Sequence, residues 1–107
     1  METQDKQPPW KVSFSAKAAK QAKKLPPEIR DRLFALKLEM EQTGPAQVTW
    51  RNYGLIVSAK TKDVHHCHLN SGRPRYVAVW QVTSRMIQVI EILYAGPHGG
   101  VNYSHFR

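Results

Sequence analysis

A chain of 107 residues, 41% hydrophobic, is long enough for one modest core and too apolar for a disordered tail. No apolar run approaches the roughly 18–20 residues that span a membrane, and Met1–Pro9 has no apolar segment of the secretory kind; with a single cysteine, Cys67, and so no internal disulfide, this predicts a soluble cytoplasmic protein with no membrane partner. The net charge of +8 is unevenly spread: residues 45–107 hold seven basic residues, all five histidines and only two acids, Asp63 and Glu91, so nucleic acid is the leading partner class and an acidic protein the alternative.

In chain order, residues 1–9 read as a flexible lead and residues 10–107 as one domain. Trp10–Phe14 alternates apolar and polar residues, the pattern of a half-buried strand. Ser15 suits a helix cap, after which Ala18, Ala22 and Leu25 share one helical face and Lys17, Lys20 and Lys24 another. Pro26-Pro27 ends that helix and suits the first turn of the next. There Ile29, Leu33, Leu36 and Met40 fall at i, i+4, i+7 and i+11, and Thr43-Gly44-Pro45 is a stop signal. Residues 46–64 are ambiguous: Val48-Thr49-Trp50 and Leu55-Ile56-Val57 read as short strands or as an ordered loop. Residues 65–69 read as extended, Asn70-Ser71-Gly72 as a turn, and Tyr76–Val82 as a strand. Val82–Arg85 is read as a second reversal, and Met86–Tyr94 as a central strand covered on both faces. A glycine-rich loop at 96–100 and a short tail, 101–107, follow. The order β-α-α-(β)-β-β-β predicts an α+β domain: an N-terminal strand and helical hairpin packed on a small antiparallel sheet.

The stretch His65-His66-Cys67-His68 bears on function. Strand alternation puts His66 and His68 on one face, about 7 Å apart, and His65 and Cys67 on the other. Histidines so spaced flank a phosphate, and imidazole suits both proton donation and acceptance near neutrality. Arg73 and Arg75 beyond the turn have the fork geometry that binds phosphate oxygens. The rival is a metal site, with His66 and His68 as two ligands and His98 as a third. No carboxylate lies near in sequence, Cys67 points away, and the arginines repel a cation, so the reading is of no metal and no cofactor. The bland alternative is a polar strand. His65, Cys67 and His105 are read as structural or incidental, and Tyr76 and Trp80 as packing.

The element order, together with Arg51-Asn52-Tyr53-Gly54, His66–Leu69, Gly72–Trp80 and Tyr94–His98 followed by Tyr103, resembles the RelE/ParE-like toxins of bacterial toxin–antitoxin modules, in particular the RelE-type ribosome-dependent mRNA endonucleases. The resemblance spans about residues 10–103. It implies that His66 and His68 stand where the family carries two basic residues at i, i+2. It further implies that Arg75 matches the arginine opening the next strand, that His98 matches the acid in the loop after the last strand, and that Tyr103 matches a C-terminal tyrosine. The expected catalytic set is therefore His66, His68, Arg75, His98 and Tyr103. Arg73 and Lys17, Lys20 and Lys24 are expected to contact RNA, although the lysines also read as a solvated helix face. The implied partners are mRNA, the ribosome and a cognate antitoxin. The competing expectations are a non-enzymatic ParE-like toxin that binds a protein, or a family member that has lost its activity.

Overall fold

The computed structural model describes residues 9–56, 63–101 and 103; the expectations for Met1–Pro8, for Val57 and for His105 fall outside them. Strand β1 is Lys11–Phe14. Ser15 then caps helix α1, Ala16–Lys23, its hydroxyl accepting the Ala18 N–H at 3.0 Å. Helix α2, Pro27–Thr43, starts with Pro27 in its first turn, where the missing N–H costs nothing. It stops at Gly44, whose φ of 90° is one that only glycine adopts without strain. The predicted stripe of Ile29, Leu33, Leu36 and Met40 is buried to its full length.

Among the described residues, five strands form one sheet in the order β1-β5-β4-β3-β2, where β2 is Gly54–Leu55, β3 Val64–His68, β4 Tyr76–Ser84 and β5 Val89–Pro97. The meander from β2 to β5 is antiparallel, as expected, but β1 pairs parallel to β5. The sheet of this α+β fold is therefore mixed. Alternation along a strand reports which face is buried and carries no information on its partner or direction.

The helices cover one face of the sheet. Ala18, Ala22, Leu25 and the α2 stripe pack on Cys67, Leu69, Ala78, Trp80, Val82, Ile90, Ile92 and Ala95. The other face carries a smaller apolar group, Ile56, Val64, Val77, Val79 and Tyr94, with Val101 and Tyr103 against it. A register shift after Val79, which faces Tyr94 while Trp80 faces Ile92, turns Tyr94 onto this second face.

One local expectation changes, and one open reading resolves. The second reversal lies at residues 85–88, because β4 runs on to Ser84, and Met86 is 93% exposed in that turn. The apolar run from Met86 therefore enters the strand only at Val89. Of the two stretches left open between short strand and ordered loop, Val48-Thr49-Trp50 is a turn, while Leu55 lies in the short edge strand Gly54–Leu55, extended by the Ile56 N–H donating to the Val64 carbonyl at 2.8 Å.

Candidate functional site

Strand β3 alternates as its sequence requires. His65 and Cys67 point to the helical layer, while His66 and His68 lie opposite Val79 and Val77 on the other face. The 3₁₀ turn His98–Gly100 follows β5, and the His98 N–H donates to the Arg75 carbonyl at 2.7 Å. That bond ties the loop to the start of β4 and brings the His98 ring edge-on to His68, with ring centroids 5.4 Å apart. Tyr103 closes the group, 5.3 Å from His66 and 6.5 Å from His98 by ring centroids. The five expected catalytic residues therefore converge on one face, although Tyr103 is separated from His66 by more than a third of the chain.

Three nitrogens in this cluster, His66 Nδ1, His68 Nδ1 and Arg75 Nε, are buried without a hydrogen-bond partner among the described residues. Buried polar groups without a partner are costly, so three in one cluster favour water or another polar group beside them. Gly54 contributes by lacking a side chain: it faces His66 across the β2–β3 pair, and a Cβ there would stand 3.3 Å from His66 Nε2.

Burial lowers the pKa of His68, and the nearby charges of His98, Arg75, His66 and Arg51 lower it further. Burial lowers that of His66 as well, helped by His65. Both rings are therefore neutral at pH 7 and able to accept a proton. Burial raises the pKa of Tyr103, which keeps its hydroxyl protonated. The cluster thus offers two neutral imidazoles, a third on an exposed loop, a phenol and a guanidinium, a set able to move protons around an anionic centre.

The remaining expected residues lie elsewhere. Arg73 is exposed in the turn before β4. Lys17 and Lys20 on α1 and Lys24 at its C-terminal end are exposed, and α1 covers the opposite face of the sheet, so they are not brought to the cluster. Among the described residues, no group of three His, Cys, Asp or Glu side chains is arranged to hold a metal ion. Cys67 is buried, and burial pushes its thiol up to about 12, so it stays protonated.

His65 is a structural residue with a definite task. It is 2% exposed and lies parallel to Trp80, with an interplanar angle of 8°. Its Nδ1 meets the Tyr53 hydroxyl at 2.7 Å and its Nε2 meets Asp63 Oδ1 at 2.9 Å. Burial lowers its pKa against the pull of Asp63. A neutral ring protonated on Nε2 satisfies both bonds, accepting from Tyr53 and donating to Asp63. Arg85 in turn donates twice to Asp63, at 2.6 and 2.7 Å.

Tyr53 belongs to the loop carrying Trp50 and Arg51, whose structure the sequence left open and to which it gave no site role. The Arg51 carbonyl accepts the His68 N–H at 2.8 Å, so this loop abuts the cluster. A tryptophan and an arginine side by side before a glycine were the available signal.

No family model and no curated protein sequence matches the chain. Its fold is similar to that of solved toxins. A mutant of the E. coli toxin RelE in the free state superposes with a TM-score of 0.67 at 18% identity, over 92% of this chain and 93% of that one. RelE in the archaeal RelE–RelB complex from Pyrococcus horikoshii OT3 gives 0.64 at 18% identity, over 86% and 98%. YoeB in its dimer from Staphylococcus aureus gives 0.63 at 13%, over 83% and 97%. At such identities the likeness is one of fold.

Proposed function

On the premise that this chain has the fold of the RelE/ParE-like toxins, we propose that it is the toxin of a toxin–antitoxin pair and cuts mRNA on the ribosome by metal-independent acid–base chemistry. The observation that carries the reading is the convergence of His66, His68, His98 and Tyr103 beside Arg75, with buried nitrogens that have no partner among the described residues. In the proposed reaction, His68, held neutral, takes the proton from a ribose 2′-OH. The 2′-oxygen attacks the adjacent phosphorus, and the bond to the 5′-oxygen breaks. Arg75 and His66 steady the charge on the phosphorane. His98 protonates the departing 5′-oxygen, leaving a 2′,3′-cyclic phosphate on one fragment and a 5′-hydroxyl on the other. Tyr103 holds the 2′-OH or stacks on a base.

The active groups are few and carry no strong carboxylate base, so the ribosome supplies the remaining geometry and naked RNA is a poor substrate. Arg73 contacts the RNA backbone, and the lysines of α1 face ribosomal RNA or solvent. The antitoxin seats on the basic protein through an acidic or amphipathic segment. One surface that suits such a segment is the apolar groove lined by Phe14, Ala22 and Phe34 and rimmed by Lys23 and Arg30. Such a protein works in the cytoplasm.

In vitro translation with mapped mRNA ends tests the reading. New ends within ribosome-bound mRNA, insensitive to EDTA, are expected. Intact mRNA together with arrested growth in expressing cells would point instead to a non-enzymatic toxin that binds a protein target. No effect on growth or translation would point to an inactive member of the fold.

A further inference from the structure

Sharing His68 with the cluster is a polar recess of about 380 Å³. Its walls include Arg32 and Glu39 of α2, Thr49, Trp50 and Arg51 of the connecting loop, and His68 itself. Nothing in the proposed chemistry uses it. Resting on the proposed function, we infer that this recess takes one base of the RNA strand next to the scissile phosphate, and that it selects guanine.

The recess is built for a flat polar ring. Trp50 packs part of its indole against the core and exposes part to the recess. Its position is set because Nε1–H donates to Glu39 Oε1 at 2.9 Å. An aromatic ring fixed at the mouth of a cleft is a stacking surface for an unpaired base. Glu39 is exposed, and its carboxylate, acceptor-only with about four lone-pair positions, has spent one on Trp50. Base chemistry then decides. Guanine presents two adjacent donors on its Watson–Crick edge, N1–H and the N2 amino group, which match the two oxygens of a carboxylate. Adenine and cytosine set a ring-nitrogen acceptor beside their amino donor, and uracil sets a carbonyl on either side of its N3–H. Each of these would place an acceptor against the carboxylate. Arg32 and Arg51 supply the positive charge that a phosphate bound along the rim requires. Because His68 belongs to both sites, a base seated here delivers its neighbouring phosphate to the catalytic face.

The test is nucleotide binding to the intact chain, followed through the indole N–H signal of Trp50 in a ¹⁵N correlation spectrum and assigned with Trp50→Phe. Guanosine 5′-monophosphate should move this signal at a concentration about 10-fold lower than the adenosine, cytidine or uridine monophosphates need, the margin of one good base contact. Glu39→Gln, an exposed substitution that keeps an acceptor for Trp50, should remove most of that margin. Equal movement by all four nucleotides or by ribose 5-phosphate overturns the inference, as does an unchanged order in Glu39→Gln. The proposed mRNA cleavage would then stand without it. A guanine-selective shift in a protein that cuts no mRNA would uphold the recess and remove the proposed function.

Discussion

Two histidines three residues apart should respond to truncation very unequally. His65 is 2% exposed, parallel to Trp80, and bonded at both ring nitrogens. Removing its ring leaves a cavity under the β2–β3 edge of the sheet, which for side chains of this size costs about 2–4 kcal/mol. It also strips the half-buried Tyr53 hydroxyl and Asp63 of a partner, adding about 1 kcal/mol. His65→Ala should therefore lose roughly 3–5 kcal/mol, a melting-temperature drop on the order of 15–25 °C for a domain of this size. His68 is also buried, at 9% exposure, but its Nδ1 has no partner among the described residues. Its removal relieves a desolvated nitrogen while losing packing, so His68→Ala should change stability by about 1 kcal/mol or less. Thermal unfolding followed by far-ultraviolet circular dichroism, the two variants beside wild type at pH 7.5, decides it. Equal drops, or a larger drop in His68→Ala, would refute the assignment of one histidine to the fold and the other to the site.

For cleavage, His68→Ala and His98→Ala should each lose about 10²–10⁴-fold in translation-coupled mRNA cutting, the usual size for a general base or acid; full activity in both would leave Arg75 and Tyr103 as the surviving candidates. Stability should fall as pH drops below about 6.5, the unperturbed histidine value. His65, His66 and His68 all have lowered pKa values, so the unfolded chain takes up protons first, and the loss saturates only when the folded histidines also protonate. Asp63, whose carboxyl is held below its usual range by Arg85, adds a further loss in stronger acid, and urea midpoints between pH 8 and 5 should trace the histidine part; a higher midpoint at pH 5.5 than at 7.5 contradicts it. Gly54→Val should press on the His66 ring and lower cleavage by up to about 10²-fold at little cost in melting temperature, whereas Leu55→Ser, at an exposed neighbouring position, should leave both unchanged.

The helices were legible because their apolar residues repeat at 3.6 and their ends carry Ser15, Pro27 and Gly44, all local signals. The parity of β3 was legible for the same reason, and it separated His66 and His68 from His65 and Cys67 correctly. The partners of His65 were not legible. Asp63 lies two residues away with φ of 62°, and Tyr53 and Arg85 belong to different loops, so no spacing rule joins them. The loop at 48–53 escaped for a related reason. Its conformation is held by bonds from Trp50 to Glu39 and to the Gln47 carbonyl and by the bond of Tyr53 to His65 rather than by its own periodicity, so Val48-Thr49-Trp50 read equally as a short strand or an ordered loop, and it folds as a turn. The parallel placement of β1 is a property of the whole chain path. The length of β4 decided where the next reversal fell, and that length is set by pairing with β3 and β5.

The pairing of β1 with β5 also bears on how the molecule comes into being. A ribosome releases the chain from its N-terminus, so Lys11–Phe14 emerges long before Val89–Ile92, the residues against which it lies. Until then β1 and both helices have no finished sheet to cover, and closing so distant a contact is a slow, entropically opposed step. His66 and His68 likewise emerge before His98 and Tyr103. During its own synthesis the chain therefore carries half a site, and the other half arrives with the strand that completes the sheet.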